Sequence, residues 1–319
     1  MVYEKEACSQ IYGIVARKEN EEALLVGFGD SGTQALKNEK NMGLNGVVFE
    51  EKDKTMCGSL VIVAIDTADQ KNIVQAEKFL DKTKNQNACT VVICPRCDNE
   101  VIPVESKLTS LSNKADSVII INEDIVYEEV IDFLLQLYMN ESDEQGREDI
   151  IDRFLNSGFA YYGYHYSEDD WNAESFASFA VFDTMFRCPL YAAKNVFCMI
   201  AYGTAFKLKE NDSDIGDDEI IFSYIEDYMD PHAKLNGYLF QSKKYLPYTI
   251  GMQILALGFG TNKIIIDDSG CRKYPEFIST RLENRVNRLL KTPFHNKKKF
   301  KKYEEHKNKC TQENGSVVL

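Results

Sequence analysis

The 319-residue chain has no apolar run near the roughly 20 residues that a helix needs to cross a bilayer. Its first ten residues carry Glu4, Lys5 and Glu6 where a secretory signal would be apolar, so the expected location is the cytoplasm. The nine cysteines are odd in number and scattered, which argues against a disulfide framework and suits a reducing compartment. Cys94-Pro95-Arg96-Cys97 has no second Cys-x-x-Cys to complete a zinc set, and His165, His232, His295 and His306 are far apart, so no metal site is expected. A thioredoxin-like pair would need a helix starting at its first cysteine. Here the sequence runs on through Asp98-Asn99-Glu100-Val101, and buried or incidental thiols are the simpler expectation. No internal repeat is visible, and the only low-complexity stretch is Lys297-Lys298-Lys299-Phe300-Lys301-Lys302.

What is present is enough for a large core. At 44% hydrophobic, the chain suits one large or two medium domains. The net charge of −13 is unevenly spread: Arg272 to Lys309 has a local balance of +9, which leaves −22 on the rest. An acidic body with a basic tail fits a membrane surface or an acidic partner as well as a solvated tail, and no nucleic acid partner is expected. Within that tail Phe277, Ile278, Leu282, Val286, Leu289 and Leu290 form one helical stripe, with Arg281, Arg285 and Arg288 on another side. Residues 274–302 could lie on an anionic bilayer or pack back onto the acidic body.

The segment with most chemical content is Ala23 to Leu36. A short apolar strand leads into Gly27-x-Gly29-x-x-Gly32 and then a helix expected from Thr33 to about Asn41. Such a turn lets backbone amides and a helix N-terminus approach a phosphate, although glycine also serves any tight strand-to-helix turn. Further strands are expected at residues 46–49, 59–65, 90–93 and 116–121, with a helix over 68–83, and this alternation predicts a parallel sheet covered on both faces. Helices follow at 123–138, 148–155 and 173–186, then strands at 196–200, 235–240, 250–257 and 263–266. The expected fold is α/β: a Rossmann-like domain over 1–140, an α+β domain with a mostly antiparallel sheet over 141–270, and a basic tail over 271–319. Tyr161, Tyr162, Tyr164 and Tyr166 with Trp171 read either as a binding surface or as core packing.

Several segments fall in a telling order. They are the glycine turn; Thr90-Val-Val-Ile-Cys-Pro95 before Asn99-Glu100; Leu108 to Asn122, ending Asp-Ser-Val-Ile-Ile-Ile-Asn; Gly158-Phe-Ala-Tyr-Tyr-Gly163; Ala173 to Cys188-Pro189-Leu190; and Leu255-Ala-Leu-Gly-Phe259. Together they resemble the bacterial cell-division GTPase FtsZ and its tubulin relatives over roughly residues 23–260. The resemblance implies a GTP or GDP site in which Gly27, Gly29 and Gly32 touch phosphate, Glu100 the ribose and Asp124 the base. It also implies head-to-tail self-association or co-assembly with a true FtsZ, with Asp149 the one acid matching the family's hydrolytic loop and acting on a neighbour's nucleotide. The family's Gly-Gly-Gly-Thr-Gly-Thr/Ser loop is missing: after the strand ending at Ile65 the sequence reads Asp66-Thr67-Ala68-Asp69-Gln70-Lys71-Asn72, without glycine. Impaired nucleotide binding and weak or lost hydrolysis are the expectation. Without the resemblance, the glycines followed about 20 residues later by Glu50 and Glu51 suggest a Rossmann NAD site instead.

Overall fold

The computed structural model describes residues 12–18, 21–41, 46–49, 59–83, 88–95, 108–122, 125–139, 144–167, 173–203, 217–241, 249–259, 265–266 and 272–273. The strands are β1 (Tyr12–Lys18), β2 (Glu21–Phe28), β3 (Gly46–Phe49), β4 (Leu60–Ile65), β5 (Cys89–Pro95), β6 (Ser117–Ile121), β7 (Gly158–Ser167), β8 (Asn195–Tyr202), β9 (Lys234–Gln241), β10 (Ile250–Leu257) and a small separate pair, β11 (Ile265–Ile266) with β12 (Arg272–Lys273). The helices are α1 (Gly29–Asn41), α2 (Gln70–Thr83), the single turn α3 (Thr109–Ser112), α4 (Tyr127–Met139), α5 (Glu144–Phe154), α6 (Ala173–Arg187) and α7 (Asp217–Glu226). No helix among the described residues is long and apolar enough to cross a membrane.

Ten strands form one sheet in the order β3-β1-β2-β4-β5-β6-β7-β10-β8-β9. The run β2-β4-β5-β6-β7 is parallel throughout. β10 enters antiparallel between β7 and β8, and β9 returns parallel to β8. The second half therefore has two antiparallel pairings and one parallel. Its parallel pair is joined through α7, a helix absent from the sequence-based expectation, as are strands β1 and β7. The β-branched and apolar runs dictate this sheet. Every residue of β4, from Leu60 to Ile65, is buried, because both faces are covered.

Alternate side chains build two cores. Val61, Val63 and Ile65 point into one, with α2, α3, α6 and α7 above them. Leu60, Ile62 and Ala64 point into the other, under α1, α4 and α5. The two halves of the sheet join at β6 and β7, paired from Ser117–Gly158 to Ile120–Tyr161. Asp116 holds that edge: its Oδ2 accepts from the Thr90 amide (2.8 Å) and hydroxyl (2.9 Å), and its carbonyl accepts from the Gly158 amide (3.1 Å). Phe154 of α5 stacks on Phe197 of β8 (centroids 5.6 Å apart), so the helical layer also bridges the halves. The domain division expected at residues 140–141 lies outside the described residues.

Candidate functional site

β2 and β4 are parallel neighbours, yet the helices that follow them pack on opposite faces: Ala35 and Leu36 of α1 in one core, Ile73 and Ala76 of α2 in the other. Such a reversal opens a crevice beyond the carboxyl ends of the two strands, the usual binding position in open α/β sheets. A cleft of about 690 Å³ lies there, lined from Gly27 to Lys37 on one side and from Asp69 to Gln75 on the other.

The glycine turn is tighter than the sequence suggests. Helix α1 begins at Gly29, not Thr33, so Gly32 sits inside its first turns. The reason is local: Gly29 takes φ +76°, which turns the chain directly from strand into helix, and Asp30 supplies the first-turn acid that a helix dipole favours. A Cβ on Gly27 would stand 2.6 Å from the Gly32 carbonyl and from Leu36 Cδ1, and one on Gly32 would collide with the Ala64 carbonyl. Both glycines thus let α1 press onto β2 and β4. A Cβ on Gly29 would strike Asn72 and lie 2.7 Å from Asp66 Cβ.

The segment after β4 is organised by its own carboxylates. Asp66 Oδ1 accepts from the Ala68 amide (3.0 Å) and Oδ2 from the Ser31 hydroxyl (3.1 Å). Asp69 Oδ1 accepts from the Lys71 amide (2.9 Å) and caps α2. Asn72 Nδ2 donates to the Asp66 carbonyl (3.0 Å), and the Asp66 amide donates to the Phe28 carbonyl (2.9 Å), extending the β2–β4 ladder. Behind them the Tyr127 hydroxyl donates to the Ile65 carbonyl (2.7 Å), fixing the start of α4 beneath the cleft. Two amides of this loop, those of Ala68 and Lys71, are thus satisfied by aspartates. The positive groups of the cleft are Lys37 and Lys71, both exposed.

Of the residues expected at a nucleotide, Gly27 and Gly29 line the cleft, and Gly32 lies beneath it in α1. Glu100 and Asp124 fall outside the described residues, as do Glu50, Glu51, Trp171 and residues 274–302. Asp149 is exposed on α5, accepts from Gln145 Nε2 (3.3 Å) one turn earlier, and takes no part in the cleft lining. Sequence reading passed over Thr33, Gln34, Lys37, Lys71 and Gln75. Their signal was helical spacing: Asp30, Thr33, Gln34 and Lys37 fall on one face of α1, and Lys71 and Gln75 one turn apart on α2. Cys94 is fully buried in β5, where desolvation pushes its thiol far above the ordinary range, and redox chemistry has no thiolate to use there. Arg96 and Cys97 lie outside the described residues. His165 of β7 bonds Asp183 of α6 (2.7 Å) on the face of the sheet away from α1.

No family model matches the chain, and no curated protein matches it. Among solved structures it is similar to an empty FtsZ dimer from M. jannaschii, at 13% identity and a TM-score of 0.48 over 69% of this chain and 68% of that one. It is also similar to a GTPγS-bound protofilament of CetZ2 from Haloferax volcanii, at 13% identity and a TM-score of 0.47, covering 82% and 80%. A third likeness is to CetZ from Methanosaeta thermophila strain DSM 6194, at 14% identity and a TM-score of 0.47, covering 88% and 75%.

Proposed function

We propose that this chain is a divergent FtsZ/tubulin-like protein, cytoskeletal or associated with cell division, which self-associates head to tail or co-assembles with a true FtsZ. Its GTP binding is impaired and its hydrolysis weak or absent. The observation that carries the reading is the crevice between β2 and β4: the starts of α1 and α2 face it, and the loop where the family wraps phosphate is closed by Asp66 and Asp69 instead of glycine amides. The order of sequence motifs from Gly27 to Phe259 supports the same reading. On it, a bound GTP or GDP would set its phosphates by Gly27, Gly29 and Gly32, its ribose by Glu100 and its base by Asp124. Asp149 is the remnant of a hydrolytic loop serving a neighbour. The protein works in the cytoplasm in two units divided near residue 140, and residues 274–302 are the segment open to membrane contact.

Sedimentation and electron microscopy of the full chain with and without GTP, run beside a phosphate-release assay, test this. The expected result is assembly that GTP hardly changes and phosphate release at or near background. Rapid GTP turnover would overturn the impairment, and a permanent monomer with and without a true FtsZ would overturn the cytoskeletal role. A melting shift with NAD and none with GDP or GTP would instead favour a dinucleotide site at the same crevice.

A further inference from the structure

We propose that Asp66 is an internal competitor for anions, a specificity-determining residue whose carboxylate occupies donors that an incoming phosphate would use. The inference rests on reading the β2–β4 crevice as a phosphate site, and it names what controls that site. Asp66 is held from every side. Its amide donates to the Phe28 carbonyl (2.9 Å), its carbonyl accepts from Asn72 (3.0 Å), and its two carboxylate oxygens take the Ala68 amide (3.0 Å) and the Ser31 hydroxyl (3.1 Å). The Ser31 contact crosses from the end of β4 to the first turn of α1, so the carboxylate ties its own loop to a residue that lines the cleft. The close approach exists because Gly29 has no side chain: a Cβ there would sit 2.7 Å from Asp66 Cβ.

The consequence is electrostatic. The amino ends of α1 and α2 supply the positive potential that draws an anion, and fixed carboxylates, Asp66 beside α1 and Asp69 at the cap of α2, already take that benefit. The bonds it makes are to neutral donors, an amide and a hydroxyl, which a phosphate oxygen could equally accept. A second anion must displace Asp66 or sit beside it. At about 4 Å the repulsion runs from about 1 kcal/mol in bulk water to about 4 kcal/mol near a protein surface, a loss of roughly fivefold to a thousandfold in affinity.

Asp66→Asn keeps the acceptor for the Ala68 amide and the volume while removing the charge. Calorimetric titration of the full chain with pyrophosphate and with GDP should show pyrophosphate binding at least fivefold tighter in Asp66→Asn than in the parent. Asp81→Asn, which makes the same change in net charge at the Lys114 ion pair, should leave binding unaltered. Asp66→Ser, whose hydroxyl can also accept from Ala68, serves where Asp66→Asn fails to fold. Pyrophosphate affinity within twofold of the parent in both Asp66 variants, or an equal gain in Asp81→Asn, would overturn the assignment. If pyrophosphate gains but GDP binds no tighter than pyrophosphate in any variant, the nucleotide reading falls and the role of Asp66 stands.

Discussion

Gly32→Ala separates packing from ligand binding at the glycine turn. Gly32 is buried within α1 at a conformation open to any residue, so helix propensity alone would make alanine the better choice by up to about 1 kcal/mol. Space decides otherwise. The added Cβ would meet the Ala64 carbonyl oxygen inside any allowed contact and stand 3.0 Å from its carbon, with the Ile65 amide nitrogen at 3.5 Å. These are main-chain atoms of a central strand buried on both faces, and no rotamer change moves them. α1 must back away from β4, and because main-chain atoms are struck the strain falls in the upper part of the range for an overfilled interior, about 2–3 kcal/mol. The net expectation is a loss of about 1–2 kcal/mol, or a fall in melting temperature of roughly 2–8 °C for a body of this size. Thermal and urea unfolding without any nucleotide measure it. Gly158 is the comparison: it has φ +69° with open space around its Cβ, so Gly158→Ala also costs about 1–2 kcal/mol, but Gly158→Asn recovers part of the loss because asparagine tolerates left-handed backbone. Asparagine at Gly32 recovers nothing. A Gly32→Ala protein as stable as the parent would refute the close contact between α1 and β4.

Tyr127→Phe removes the buried hydrogen bond to the Ile65 carbonyl while leaving the ring in place, and should cost about 1 kcal/mol in chemical denaturation. Equal stability would mean the hydroxyl plays no part in seating α4. The buried thiols predict alkaline weakness. Desolvation raises Cys89, Cys94 and Cys198 well above their ordinary value near 9.0, so above pH 9 the unfolded chain sheds protons that the folded chain keeps. Their stabilising contribution is complete below pH 9 and is lost as pH rises beyond it, each thiol steepening the loss by up to about 1.4 kcal/mol per pH unit. Cys94→Ala should flatten the fall between pH 9 and 10.5 relative to its own stability at pH 7, and an unchanged slope would contradict the burial. By the same logic peptide mapping after labelling with a thiol reagent should find these three cysteines protected until the chain unfolds.

The parallel half of the sheet was legible because its signal is local. Leu60 to Ile65 is an uninterrupted apolar run, and Val91 to Ile93 and Val118 to Ile121 are apolar behind a buried Thr90 and Ser117, as a strand buried on both faces requires; each is a strand within two residues of its expected limits. β7 was missed as a strand because Gly158-Phe-Ala-Tyr-Tyr-Gly-Tyr-His-Tyr-Ser mixes glycine, histidine and tyrosine. Its strand character comes from its neighbours, parallel to β6 on one side and antiparallel to β10 on the other. The place of β10 between β7 and β8 is non-local in the same way, since no property of Ile250 to Leu257 states which strands flank it. At the site, the glycines and the acidic replacement at residues 66–69 were readable. The tie from Ser31 to Asp66 was not, because it joins residues 35 apart whose meeting depends on the β2–β4 register.

That register changes what the glycine pattern means. Gly27-x-Gly29-x-x-Gly32 is ordinarily taken as the mark of a phosphate, yet here each glycine already answers a demand of the fold: Gly27 and Gly32 the approach of α1 to the sheet, Gly29 a left-handed turn against Asp66 and Asn72. A chain that had given up its anion would still need all three, so their retention says little about a ligand. The loop after β4 is shaped without glycine: Asp66 and Asp69 accept from the Ala68 and Lys71 amides and hold it in place. On the proposed reading the pattern marks where a phosphate would go, and the carboxylates decide whether it does. Substitutions at the glycines should therefore read out in the stability of the empty protein, whereas substitution at Asp66 should read out in ligand affinity.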